Sequence, residues 1–214
     1  MAEIFDIYDE QGNWTGTADR REVHAKGLWH RTVHCWLVRR EYGNGSCAAK
    51  VLIQQRSDRK DTNPGCFDIT AAGHLQAGES PEAVVRELEE ELGVKARFEQ
   101  LREYGIIREQ CSGVVGNIAY IDNEVSYVFG LETRMKLEDY RLQEEEVSGL
   151  YEADADELLA LMENRLERAL VRGIVLKGGK PQAADAQITR SSFVERDVAY
   201  YINVIKFLQE MIKS

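Results

Sequence analysis

The sequence predicts an α/β or α+β layered domain, and three observations carry that reading. Segments rich in β-branched and aromatic residues alternate with a few helical ones. Hydrophobic residues make up 43% of the 214 positions, enough for a sizeable core. One helical stretch around Glu87 keeps its acidic and apolar residues on separate faces. No internal repeat or low-complexity tract breaks the pattern.

Residues 4–7 and 14–17 read as two short strands around a polar turn at 9–13. A short helix is expected near 21–25, then strands at 33–38 and 51–55 with a loop at 42–46 between them. Residues 57–65 form a loop full of turn formers, followed by a short strand at 67–72 that ends at Gly73. Residues 81–92 are a helix, with Ser80 as N-cap, Pro81 at the first position and Gly93 as the stop. Strand-like composition returns at 97–107, 117–120 and 124–131. Residues 158–171 and 194–212 read as amphipathic helices, with 178–186 as a surface linker between them. Covering the core is the default role of the last helix; closing a pocket or forming a homodimer contact are the other uses of such a face. The expected organisation is 1–30 as hairpin and short helix of the main domain, 31–175 as the core domain, and 176–214 as linker and packing helix.

A net charge of -10 argues against nucleic-acid backbones and anionic membranes as partners. It remains compatible with a phosphorylated small molecule, because divalent ions bridge carboxylates to phosphate oxygens. The start, MAEIFDIYDE, lacks the blocks of a signal peptide, and no apolar run approaches the roughly 20 residues that cross a bilayer. Cys35, Cys47, Cys66 and Cys111 show no CxxC or zinc-finger spacing, so reduced thiols and a cytoplasmic location are expected.

The most informative stretch runs from Gly73 to Val94. On a helix Val84, Leu88 and Leu92 form an apolar stripe, while Glu87, Glu90 and Glu91 share another face at i, i+3 and i+4. Three carboxylates on one face repel one another, and an oxygen-seeking cation such as Mg²⁺ removes that cost. A solvated acidic face is the plainer reading of most such clusters. Here the surroundings reverse the odds: a strand ends in a glycine, a second glycine precedes a lone glutamate, and Arg86 opens the acidic run.

This constellation resembles the Nudix box, Gly-x5-Glu-x7-Arg-Glu-U-x-Glu-Glu-x-Gly-U, where U is apolar. The match falls on Gly73, Glu79, Arg86, Glu87, Leu88, Glu90, Glu91, Gly93 and Val94. One departure is that six residues, not seven, separate Glu79 from Arg86. The resemblance implies a Nudix-type α/β/α sandwich with a mixed sheet, an N-terminal β-hairpin and a C-terminal helix. It implies a hydrolase that cleaves a diphosphate linkage in a small molecule with Mg²⁺ or Mn²⁺. Glu87, Glu90 and Glu91 are the implied metal ligands, joined by the Gly73 carbonyl, with Arg86 and Glu79 in structural support. A glutamate on the helix or a later loop would be the general base, with Glu90, Glu87 and Glu124 the catalytic candidates.

The likeness extends to type I isopentenyl diphosphate isomerases, through Arg56-Ser57-Asp58-Arg59-Lys60, Asn63-Pro64-Gly65-Cys66-Phe67 and Ala71-Ala72-Gly73-His74. His24 and His30 fall near that enzyme's metal-binding histidines, and Asp122 and Glu124 near its two acids. Its cysteine before the Gly-His step is Ala72 here, and an alanine delivers no proton to an alkene, which favours hydrolysis. A nucleoside- or isoprenoid-type diphosphate is the implied substrate; an isomerase-like enzyme and a non-catalytic nucleotide-binding module are the alternatives.

Among other residues, Arg56 and Lys60 are candidate phosphate contacts. Glu144-Glu145-Glu146 reads first as a solvated run, though a late glutamate is the base in some Nudix hydrolases. His24, His30 and His34, without zinc spacing, read as ordinary hydrogen-bonded or surface histidines, and Trp29 and Trp36 as core.

Overall fold

A computed structural model describes residues 3–43, 46–115 and 118–213. In chain order the hairpin β1 (Ile4–Tyr8) and β2 (Trp14–Asp19) leads into helix α1 (Arg20–Lys26). Strands β3 (Trp29–Gly43), β4 (Ser46–Arg56), β5 (Phe67–Asp68) and β6 (Ala71–His74) follow. Helix α2 (Val84–Leu92) precedes β7 (Arg102–Val115), β8 (Ile118–Glu132) and β9 (Val147–Asp154). The chain ends with α3 (Ala155–Met162), the hairpin β10 (Ala169–Lys177) and β11 (Lys180–Ile188), and α4 (Val198–Met211).

The strands form one mixed sheet with the path β11-β10-β9-β4-β3-β1-β2. Strand β8 runs parallel to β3 from Trp29↔Asn123 to Val38↔Glu132, and β7 pairs antiparallel with β8. On its other side β3 pairs with β6 through Thr32–Cys35 and with β4 beyond Leu37. The chain changes partner between β5 and β6: β5 pairs with β4 and β6 with β3. Thr70 marks the change, accepting the Leu37 N–H at 3.0 Å and donating to the Leu52 carbonyl. This crossing puts Gly73 and His74 beside the first half of β3.

Two apolar layers sandwich the sheet, because β3 and β4 bury both faces. Val33, Cys35, Leu37 and Leu52 pack with Val84, Leu88 and Leu92 of α2. Trp36, Val38, Val51 and Ile53 pack with α3 and with Val204, Ile205 and Leu208 of α4. Each fully buried side chain of this size contributes about 1.5–3 kcal/mol. The last helix therefore covers the core, as its apolar stripe suggests. No helix among the described residues is long and apolar enough to cross a membrane. All four cysteines are free, with Cys35 buried in the core.

Several expectations need correction. The helix expected at 158–171 is α3, N-capped by Asp154, and it ends at Met162. Residues 169–171 already belong to β10, where burial alternates between Ala169 and Val171 inside and Leu170 outside. The linker expected at 178–186 is the turn and second strand of a hairpin. Gly178 and Gly179, at φ 58° and 72°, supply the two left-handed positions that a tight hairpin turn requires. The strands expected at 117–120 and 124–131 are one strand, β8; Asn117 lies outside the described residues, as do Asn44 and Gly45 of the 42–46 loop. Residues 67–72 divide into β5 and β6 with a crossing between them. Ser80 has extended backbone, but its hydroxyl makes no capping bond, and a 3-10 turn, Pro81–Ala83, precedes α2.

Candidate active site

Strand β6 organises the site because successive side chains alternate between faces. Ala71 and Gly73 face α2, whereas Ala72 and His74 face the other side of the sheet. A Cβ on Gly73 would lie 2.2 Å from Cδ of Glu87, so the missing side chain is what lets that carboxylate rest on the strand. Glu91, one turn further along α2, is buried beside the Ala72 backbone. Burial pushes the Glu87 carboxyl up to about 7 against the pull of Arg86. Burial, together with the charge of Glu87, raises Glu91 well above the carboxylate range.

Glu90 stands apart, with its side chain 54% exposed and 3.0 Å from Arg86 Nη1. The Arg86 guanidinium also donates to Glu79, at 3.2 and 3.0 Å, and lies 2.9 Å from Glu87 Oε1. The short spacing before Arg86 is thus taken up in the 3-10 turn ahead of α2, and the Glu79–Arg86 pair still closes. Lys60 pairs with Glu146, and both charges act on Glu91. The late acidic run therefore brings one carboxylate to the site. Arg56 is tied to its own loop: Nε and Nη2 donate to the Thr62 carbonyl at 3.2 and 3.0 Å, and Nη1 to Asp68 at 3.0 Å.

The opposite face of the same strands carries a second cluster. His30 on β3 is in register with Glu124 on β8, His74 pairs across from Thr32, and α1 brings His24 over them. His24 Nε2 and His30 Nε2 each lie 3.5 Å from Asp122 Oδ1. Glu124 Oε1 is 3.9 Å from His30 Nε2 and 3.6 Å from His74 Nε2. His30 Nδ1 donates to the Leu28 carbonyl at 3.0 Å, which turns the Nε2 lone pair towards the acids. Burial keeps His30 and His74 below the usual imidazole range. Burial, with the charge of Asp122, also raises Glu124 to about 8, while Asp122, beside His24 and His30, is lowered despite its own burial. His24 and His30, expected as ordinary histidines, converge here with His74 and two acids on one candidate cation site. His74 was missed outright, although it directly follows Gly73; the useful signal was the fall of His24 and His30 near the isomerase's metal histidines.

Both clusters leave buried polar atoms bare, but among the described residues only the histidine face gathers three side-chain ligand atoms within 4.8 Å of one another. Among the described residues six buried side-chain nitrogen or oxygen atoms lack a hydrogen-bond partner, and four of them are Glu91 Oε2, His30 Nε2, His74 Nε2 and Asp122 Oδ1. Each such atom costs about 1–3 kcal/mol unless something satisfies it. The α2 cluster offers oxygen only, which suits Mg²⁺, while the mixed imidazole and carboxylate set suits a softer divalent ion.

A family model for the NUDIX domain matches residues 28–172, a span that holds every residue of both clusters except His24. The chain belongs to the Nudix hydrolase family. A Nudix hydrolase of Clostridium acetobutylicum is 36% identical over 209 residues, covering 97% of this chain and 98% of its own. Nudix hydrolase 3 of Arabidopsis thaliana is 38% identical over 152 residues, covering 69% of this chain and 19% of that longer protein. A crystal structure from Deinococcus radiodurans shares the fold with a TM-score of 0.51 at 20% identity, covering 76% of this chain and 90% of the other. The matched span contains both β6 and α2, and the histidine cluster lies on the face of β6 away from α2.

Proposed function

We propose that this Nudix hydrolase cleaves a diphosphate linkage in a small nucleoside- or isoprenoid-type diphosphate, in the cytoplasm, with Mg²⁺ or Mn²⁺. One observation carries the reading: Glu87 and Glu91 are buried side by side on Gly73 and β6, an arrangement that is costly unless a cation joins them. Glu87, Glu91 and the Gly73 carbonyl would hold the ion. When bound, it would screen phosphate charge and polarise the phosphoryl group. Arg86, braced by Glu79, fixes the carboxylates. Lys60, whose charge reaches Glu91, is placed to meet a substrate phosphate, whereas Arg56 holds the loop that carries Lys60. Glu90, at the exposed rim of α2, is left to take the proton of the attacking water. His24, His30, His74, Asp122 and Glu124 form a second candidate cation site.

An isomerase-like reading draws support from that second cluster, which lies where the resemblance sets the isomerase's metal-binding residues. Ala72 weighs against it, since no thiol stands there.

The test is a panel of nucleoside diphosphates and triphosphates, nucleotide sugars, dinucleoside polyphosphates and isoprenoid diphosphates with Mg²⁺ or Mn²⁺. Monophosphate or phosphate release is the readout, with double-bond migration scored for the isoprenoids. Release from one substrate class, lost in Glu87→Gln and Glu90→Gln, is the expected result. Ligand binding without turnover would point to a binding module, and migration without release to an isomerase.

A further inference from the structure

Asp68, at the end of β5, is buried, and neither the acidic helix nor the histidine cluster includes it. Both of its carboxylate oxygens are taken. Oδ1 accepts the Ile69 N–H at 2.9 Å and lies 3.6 Å from Arg196 Nη2. Oδ2 accepts Arg56 Nη1 at 3.0 Å. One buried carboxylate thus stands between two guanidinium groups that are far apart in the chain. Arg196 comes from the segment ahead of α4, which runs beside β5 and whose Val194 N–H donates to the Phe67 carbonyl at 2.9 Å. Arg196 has a second carboxylate, Glu109 on β7, whereas Asp68 is the only one paired with Arg56 among the described residues.

The other edge of the Arg56 fork closes the loop 57–65. Nε and Nη2 donate to the Thr62 carbonyl at 3.2 and 3.0 Å, and Nη2 reaches Thr62 Oγ1 at 3.3 Å. The backbone joins the ends of the loop, with the Arg56 N–H on the Cys66 carbonyl and the Gly65 N–H on the Arg56 carbonyl. Lys60 lies within it, its N–H on the Ser57 carbonyl at 3.1 Å and its side chain paired with Glu146. The Thr62 carbonyl has no donor other than Arg56 among the described residues. A guanidinium is flat and rigid, so fixing Nη1 on Asp68 sets the plane in which Nε and Nη2 meet Thr62.

We infer that Asp68 is a positioning residue: by fixing the Arg56 fork it holds the 57–65 loop so that Lys60 meets a substrate phosphate. The inference rests on the reading of Lys60 as a phosphate contact. Arg196 steadies the other oxygen of the carboxylate, so the segment ahead of α4 helps to set a loop far from it in sequence. An asparagine at 68 keeps only one acceptor oxygen. With that oxygen on the Ile69 N–H, the amide NH₂ faces the Arg56 fork and the clamp opens.

The experiment measures binding of methylene diphosphonate, a diphosphate without a cleavable bridging oxygen, to the full chain with Mg²⁺ by calorimetry. Wild type should bind it, and Lys60→Ala should raise the dissociation constant about 10-fold, as for loss of one hydrogen bond to a charged group. Asp68→Asn should weaken binding by a similar factor. In the Lys60→Ala background it should add nothing, because the two changes remove the same contact. A residue that only stabilises the fold would show no such dependence on Lys60. Thermal unfolding identifies variants that fold. If Asp68→Asn does not, Arg56→Gln opens the same clamp and is carried through the same cycle. Unchanged affinity in the folded variant, or a loss that persists undiminished beside Lys60→Ala, overturns the inference alone. Unchanged affinity in Lys60→Ala, or no binding by wild type, overturns the phosphate-contact reading and the inference with it.

Discussion

The contact between Gly73 and Glu87 turns on one absent methyl group. A Cβ would sit 2.2 Å from the carboxyl carbon, so either the strand or α2 must move to admit one. Gly73→Ala should cost about 1–3 kcal/mol in urea unfolding, the usual range for overpacking. It should lower kcat about 100-fold through displacement of Glu87. Unchanged turnover would mean that Glu87 need not rest on β6 to act. The Nudix-box resemblance joined the glycine to the acids at the level of sequence, and helix spacing set Glu87 and Glu91 on one face, since i and i+4 are neighbours there. The division within the acidic set was not legible. Glu87 and Glu91 are buried while Glu90 stays half exposed, and that depends on where the edge of β6 meets the helix. His74 stayed hidden for a similar reason, because its partners arrive from α1, β3 and β8.

At the scale of the element, α2 tolerates a short approach because the missing residue falls before its first α-helical turn. The 3-10 turn Pro81–Ala83 leads into Val84, and Arg86 still meets Glu79 at 3.0 Å. An alanine inserted between Ser80 and Pro81 should therefore leave turnover within a few-fold of wild type. One inserted between Arg86 and Glu87 should abolish it, since a single residue rotates everything beyond by about 100°. Equal damage from both insertions would show that the turn, not the helix phase, is limiting. The segment from 155 to 188 was misread at this same scale. Its alternation is short, and the buried Leu158, Leu161 and Met162 run into Ala169 and Val171 with no proline between. The Gly178-Gly179 pair was the available hairpin signal, and it was taken for a linker.

For the whole molecule, the buried acids and histidines should make metal-free stability depend on pH in a defined window. Glu87, Glu91 and Glu124 are raised on folding from an ordinary value of 4.5, Glu87 to about 7 and Glu124 to about 8. The folded chain therefore holds protons that the unfolded chain has released, and these groups lose stability as pH rises. His30, His34 and His74 are lowered from 6.5, so the unfolded chain binds protons there that the folded one refuses. Their effect has the opposite sign and fades over about one pH unit above 6.5, as the unfolded histidines lose their protons. The two sets oppose each other up to there with the acids prevailing from pH 6.5, and only the acids act beyond it. With chelator present, the unfolding midpoint should fall by several degrees between pH 6.5 and 8, at about 1.4 kcal/mol per pH unit for each acid still protonated. A divalent ion replaces those protons and stabilises only the folded state. Millimolar Mg²⁺ or Mn²⁺ should accordingly raise the midpoint more at pH 8 than at pH 6.5, as followed by calorimetry. An equal shift at both values would mean that the ion binds without displacing these protons, and therefore away from Glu87, Glu91 and Glu124.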